Sequence, residues 1–186
     1  WGEVAGARCV AVYNRTRAKA EQLAERFGIE HVVDDPRQML DREALDFVDC
    51  ITDVDTHSQF VHMAAEQRLP VICQKPLGPS LAVAREMAAA CRRAGVPLLV
   101  HENWRWQTPL RQLKRVLDQG DIGRVFRARI QYANSFPVFD NQPFLKELEQ
   151  FLLTDMGTHI LDVARFLFGE ALTVYARTHR VHTDIR

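Results

Sequence analysis

The first half of the chain alternates short apolar runs with amphipathic stretches. Residues 8–13 (RCVAVY) form an apolar run that reads as a strand. Residues 18–27 follow at helical spacing, and Gly28 stands just past them, where a left-handed residue ends a helix. Residues 31–33 read as a short strand, and Pro36 opens a short helix to residue 40 at a position that tolerates proline. Residues 45–51 (LDFVDCI) predict the next strand and 56–67 the next helix. A strand over 70–73 precedes a helix over 80–94, with Ser80 as N-cap and Gly95 as stop, and 96–101 closes the series as a strand. Most of these strands are continuous apolar runs, as strands covered on both faces should be. The repetition predicts right-handed crossovers and an α/β, doubly wound parallel sheet.

The second half changes character. Residues 110–118 predict a helix stopped at Gly120. Residues 125–132 (VFRARIQY) alternate apolar and polar side chains, the pattern of a strand with one solvated face. Residues 135–143 contain Pro137 and Pro143 and read as a long loop. A strongly apolar helix is expected from about 155 to 168, ended by Gly169, and a last strand over 172–181. This is the start of an α+β unit. The boundary falls near 103–108, giving domains 1–104 and 105–186, with no repeats or low-complexity tracts.

Composition narrows the possible partners. The chain has 186 residues and zero formal net charge, which supports one substantial domain and part of another. Zero net charge argues against a nucleic-acid or membrane-surface partner, since both need a basic footprint. No apolar run approaches the roughly 20 residues of a bilayer span, and no secretory signal pattern is visible. Cys9, Cys50, Cys73 and Cys91 form no CxxC pair, and three lie in strand-like runs. They read as buried, reduced thiols of a cytoplasmic protein. The chain begins at Trp1 and stops just after a strand-like run, so it reads as a piece of a longer protein.

Three places carry candidate chemistry. Ligands of doubly wound sheets bind beyond the carboxyl ends of the strands. At the first such end stand Asn14, Arg15 and Thr16. No carboxylate is present for adenine-ribose hydroxyls, and Arg15 could meet a 2′-phosphate. Taken alone, a surface arginine beside a capping threonine explains these residues better. No GxGxxG occurs in the chain. Lys75 ends a strand at the same edge, and Pro76 restricts it to an extended conformation. A pre-oriented lysine and an ordinary strand-end lysine fit those facts equally. In the apolar helix, Asp155, His159 and Asp162 fall on one stripe at i, i+4 and i+7. Solvated faces favour Glu, Lys and Arg, so this stripe leans toward function. Metal binding ranks third and no metal is expected: His57 and His62 are five apart, and His179 and His182 fall on opposite strand faces. His57 itself stands at the ligand edge, as a cofactor contact or a helix-capping residue.

Together these residues carry a resemblance. Thr52-x-x-x-x-His57 is followed by Gln74-Lys75-Pro76, then Glu102-Asn103-Trp104-Arg105, then Gly120-Asp121-Ile122-Gly123, then Asp155-x-x-x-His159-x-x-Asp162. In order and spacing the chain resembles the family of glucose–fructose oxidoreductase, inositol dehydrogenase and the rhizopine-catabolism protein MocA, over nearly its whole length. The resemblance implies a Rossmann domain, here without its first strand and Gly-rich loop. It also implies the beginning of an α/β domain whose mostly antiparallel sheet carries substrate and homo-oligomer contacts. It assigns catalysis to Lys75, Asp155 and His159. Asn14, Arg15, Thr16, Thr52, His57, Gln74 and Lys75 fall to the cofactor, and Asn103, Arg105, Asp155 and His159 to a sugar or cyclitol. His159 takes the hydroxyl proton, Asp155 orients substrate and imidazole, and Lys75 stabilises charge on the reacting oxygen. The hydride passes to NADP or NAD, with Arg15 tilting the choice to NADP. Two departures stand out: Gln74 replaces the family's glutamate, removing a charge beside Lys75, and Asp53 replaces a proline. The expected activity is NAD(P)-dependent oxidation or reduction of a sugar-like carbinol. The alternatives are a non-catalytic nucleotide- or partner-binding member, or transient redox in glycosidic cleavage.

Overall fold

The structure, a computed structural model, describes residues 1–42, 44–147 and 151–179. Two compact units emerge, Trp1–Val100 and His101–Arg186. The first runs β1 (Ala11–Tyr13), α1 (Arg17–Phe27), β2 (His31–Val33), α2 (Pro36–Arg42), β3 (Val48–Cys50), α3 (Val54–Glu66), β4 (Val71–Gln74), α4 (Leu81–Ala94) and β5 (Leu98–His101). Each helix expected from the spacing is present. Gly28 ends α1 at φ 65°, and its N–H donates to the Ala24 carbonyl. Ser80 caps α4 by accepting from the Val83 N–H at 3.3 Å.

The fold of this unit is the Rossmann type expected, with parallel strands joined through helices. Its sheet lies in two pieces, β1-β2 and β3-β4-β5. Val48, Asp49 and Cys50 stand opposite Val71, Ile72 and Cys73. Among the described residues β1 and β3 share no ladder. At β3, Trp1 packs edge-on against Phe47 with ring centres 4.9 Å apart, and its indole donates to Asp49 Oδ2 at 2.8 Å. The core lies between β3, β4, α3 and α4, where Val61, Ala64, Val71, Cys73 and Met87 are fully buried. His57, Val61, Ala64 and Ala65 recur at helical spacing on the inner face of α3 and fix how it lies on the sheet.

In the second unit a turn at Trp104–Trp106 precedes α5 (Thr108–Gln119). Within the expected loop stands the single turn α6 (Val138–Asn141). The apolar helix forms as α7 (Thr158–Phe168), preceded by a wide π turn over Leu153–Gly157 that contains Asp155. Gly157 suits that turn: a Cβ there would meet Leu153 Cδ1 at 3.0 Å. Two expected strands do not form. Residues 125–132 and 172–179 are irregular, and the rest of the second run, with His182, lies outside the described residues. Alternation alone cannot hold a strand; its N–H and C=O groups need a ladder partner. None lies beside these segments among the described residues, and Phe126 and Tyr175 are each 92% exposed. The antiparallel sheet is therefore not seen. Among the described residues, no helix is long and apolar enough to cross a membrane.

Candidate functional site

In the first unit the carboxyl ends of β1, β3 and β4 gather the polar residues. Asn14 Oδ1 accepts from the Thr16 N–H at 2.8 Å, which closes the turn into α1 and presents Arg15 to solvent. Arg15 lies 3.6 Å from Asp53, the residue just beyond Thr52 after β3. Thr52 is exposed, and its hydroxyl accepts from Thr56 Oγ1 at 2.8 Å. Gln74 ends β4, and its Oε1 accepts from the Lys75 N–H at 2.8 Å. The neutral amide therefore supplies the hydrogen bond that a glutamate could make here, without the charge. The Lys75–Pro76 peptide is cis. Gly78 then tucks against α4, where a Cβ would meet Val83 Cγ1 at 3.3 Å.

Beneath this edge lies His57, fully buried. Its Nδ1 is 3.1 Å from the Pro76 carbonyl oxygen and 3.2 Å from that of Leu77, and its Nε2 is 3.0 Å from that of Thr52. The ring bridges the loop after β3 to the loop after β4. Thus the expectation of a cofactor contact gives way to a positioning part: a fully buried ring with both nitrogens facing backbone does not reach a ligand. His57→Ala is expected to cost about 2–4 kcal/mol, from a cavity and unmet carbonyls. Urea unfolding measures it, and a loss under about 1 kcal/mol would contradict the bridge. Cys50, His57 and Cys73 also form a buried trio whose possible ligand atoms lie within 4.8 Å of one another. Sequence spacing concealed it, because parallel register, not chain distance, sets Cys50 beside Cys73. The Cys73 thiol is pushed up, first by donating to Cys50 and then by burial.

The second unit holds a tighter arrangement. His159 is 6% exposed on the first turn of α7. Its Nδ1 lies 2.6 Å from Glu102 Oε1. The same carboxylate oxygen accepts from the Trp104 N–H at 3.0 Å. Trp104 lies flat on the imidazole, with ring centres 4.8 Å apart and planes within 5°. Arg105 pairs in fork fashion with Asp162, Nε to Oδ2 at 2.6 Å and Nη2 to Oδ1 at 2.5 Å. That bond raises the arginine's hold on its proton. Asn103 is exposed at the start of the same turn. Asp155 precedes the regular helix, so only His159 and Asp162 of the expected stripe stand on α7 itself. Residue spacing did not single out Glu102 or Trp104. A signal existed: Glu102 follows β5 directly, at the strand end that the rule used for Lys75 also marks.

The description "Oxidoreductase family, NAD-binding Rossmann fold" (GFO/IDH/MocA) matches residues 2–102, and the GFO/IDH/MocA C-terminal domain matches 110–186. The chain belongs to the GFO/IDH/MocA family. Relatives include a D-apiose dehydrogenase of Rhizobium rhizogenes, 42% identical over all of this chain and 54% of its own length. A D-apiose dehydrogenase of Paraburkholderia graminis is 44% identical over all of this chain and 49% of its own. An oxidoreductase from Agrobacterium radiobacter, solved with NAD+, L-tartaric acid and magnesium, superposes with a TM-score of 0.96 at 42% identity. That match covers all of this chain and 54% of the solved one. The chain thus spans about half the length of these GFO/IDH/MocA relatives.

The NAD-binding Rossmann assignment fits the donor set. Asn14, Thr52 and Lys75 bring polar groups to the carboxyl ends of β1, β3 and β4, where a dinucleotide lies in such sheets.

Proposed function

We propose that the whole protein is an NAD-dependent dehydrogenase that oxidises a carbinol of a sugar or similar polyol to a carbonyl. The observation that carries this reading is His159. A carboxylate accepts only, so Nδ1 bears the proton donated to Glu102, and Nε2 is left as the base. A buried imidazole held this way is suited to taking a hydroxyl proton. Bound NAD supplies the hydride acceptor. Lys75 donates to the substrate oxygen and stabilises its developing negative charge. Asp155 orients the substrate, and Asn103 contacts it. Per turnover, the hydroxyl proton goes to His159 and the carbon-bound hydrogen leaves with its electron pair as hydride. The names of the D-apiose dehydrogenases support a sugar of that kind as substrate.

Asp53 favours NAD over NADP. Arg15, the residue that pointed to a 2′-phosphate, already faces the Asp53 carboxylate at 3.6 Å. A 2′-phosphate at Arg15 would meet that negative charge. Asp53→Asn is expected to raise affinity for NADP relative to NAD by about tenfold, read by calorimetry with each cofactor. An unchanged ratio would contradict this use of Asp53.

The activity is tested by following the reduced-nicotinamide absorbance of the whole protein with NAD and a panel of D-apiose, other pentoses, hexoses and cyclitols. Turnover of at least one sugar or polyol is expected. No turnover, together with no NAD binding by calorimetry, would overturn the reading.

A further inference from the structure

We propose that Glu102 is the positioning residue for His159: it fixes the imidazole as the Nδ1–H tautomer and aims Nε2 at the substrate hydroxyl. The proposal rests on the reading of His159 as base. The carboxylate is itself fixed, because Oε1 takes both the His159 Nδ1–H at 2.6 Å and the Trp104 backbone N–H at 3.0 Å. Its side chain is 12% exposed and that of His159 is 8% exposed, so water competes poorly for the bond. Trp104 closes one face of the ring and removes its freedom to rotate.

The three parts come from two elements that their own bonds hold in register. Glu102 and Trp104 stand on the turn after β5, and His159 on the first turn of α7. The fork between Arg105 and Asp162 ties the same turn to the same helix one helical turn further on. Asp162 therefore serves the frame, and Arg105 is committed to it rather than presented to a ligand. This division changes the part expected of Asp155. The imidazole takes its carboxylate partner from Glu102, so the part of orienting the ring passes from Asp155 to Glu102.

The test compares Glu102→Leu and Glu102→Gln in the whole protein. Gln retains an acceptor for Nδ1–H without the charge, while Leu retains bulk without the acceptor. Two readouts are taken: steady-state kinetics with NAD and the best substrate of the panel, and 15N NMR of histidine-labelled protein, which separates the Nδ1–H from the Nε2–H tautomer. In Glu102→Leu, kcat is expected to fall about 100-fold, with KM within about twofold and the Nδ1–H signal of His159 lost. In Glu102→Gln the tautomer is expected to persist, with a smaller loss of kcat. NAD affinity, measured by calorimetry, checks that the first unit remains folded. An unchanged tautomer in Glu102→Leu overturns the proposal, whatever happens to kcat, because lost turnover alone would then reflect structure. A lost tautomer with unchanged kcat also overturns it. The NMR readout needs no substrate, so a wild-type protein that turns over no sugar defeats the dehydrogenase reading while Glu102's hold on the ring is still measured.

Discussion

His159→Ala is expected to lower kcat by about 100- to 10,000-fold, the range a positioned general base contributes. The loss should fall on kcat rather than on cofactor affinity, since NAD belongs to the Rossmann unit and His159 does not. Alanine also leaves a space beneath Trp104 and deprives Glu102 of its 2.6 Å partner. A buried carboxylate without that bond is costly, so some loss of stability accompanies the change. His159→Asn separates the two effects. Its side-chain N–H can donate to Glu102 much as Nδ1–H does, but an amide is no base at neutral pH. The asparagine variant should therefore approach wild-type unfolding in urea and match the alanine variant in kcat. A kcat within about threefold of wild type in either variant would remove His159 from the chemistry.

The sequence readily disclosed what local chemistry dictates. Gly28 and Ser80 marked helix ends correctly because a left-handed stop and an N-cap are properties of a few adjacent residues. The place of Lys75 just past β4 was legible for a similar reason: strand, lysine and proline adjoin in the chain. What depended on distant partners was not legible. His57 looked like a residue at the ligand edge, yet its ring is buried against backbone that arrives nineteen residues later in the chain. Arg15 was visible beside the first strand end, while the Asp53 carboxylate 3.6 Å from it was not. The alternating run at 125–132 looked like a strand, but alternation describes a face and says nothing of a ladder partner. Gln74 was visible as an oddity beside Lys75, while its hydrogen bond to the lysine's own N–H was not. Glu102 and His159 are fifty-seven residues apart, so only the packing of α7 on the turn after β5 reveals them as a pair.

Lys75→Ala is expected to lower kcat by about 100- to 1,000-fold, as loss of one donor to a developing oxyanion does elsewhere. The backbone around Lys75 should survive the change. Its N–H is held by Gln74 Oε1, and the Pro76 and Leu77 carbonyls that follow are held by His57, so these three bonds do not depend on the lysine ammonium. The ammonium is thus carried on a frame that stays in place without it, and the lost rate can be read as lost charge stabilisation. Lys75→Arg sharpens the test. The guanidinium keeps the charge, but it is planar and bulkier, and its donors point differently, so a site needing a compact donor should recover little. Recovery to near wild type by arginine would mean that a positive field suffices. With substrate deuterated at the carbinol carbon, the isotope effect on kcat should rise in Lys75→Ala, because slowing the chemical step leaves hydride transfer to limit turnover. An unchanged kcat in Lys75→Ala would separate this protein from the mechanism its motif implies. If His159→Ala were equally silent, NAD binding alone would be left to the fold.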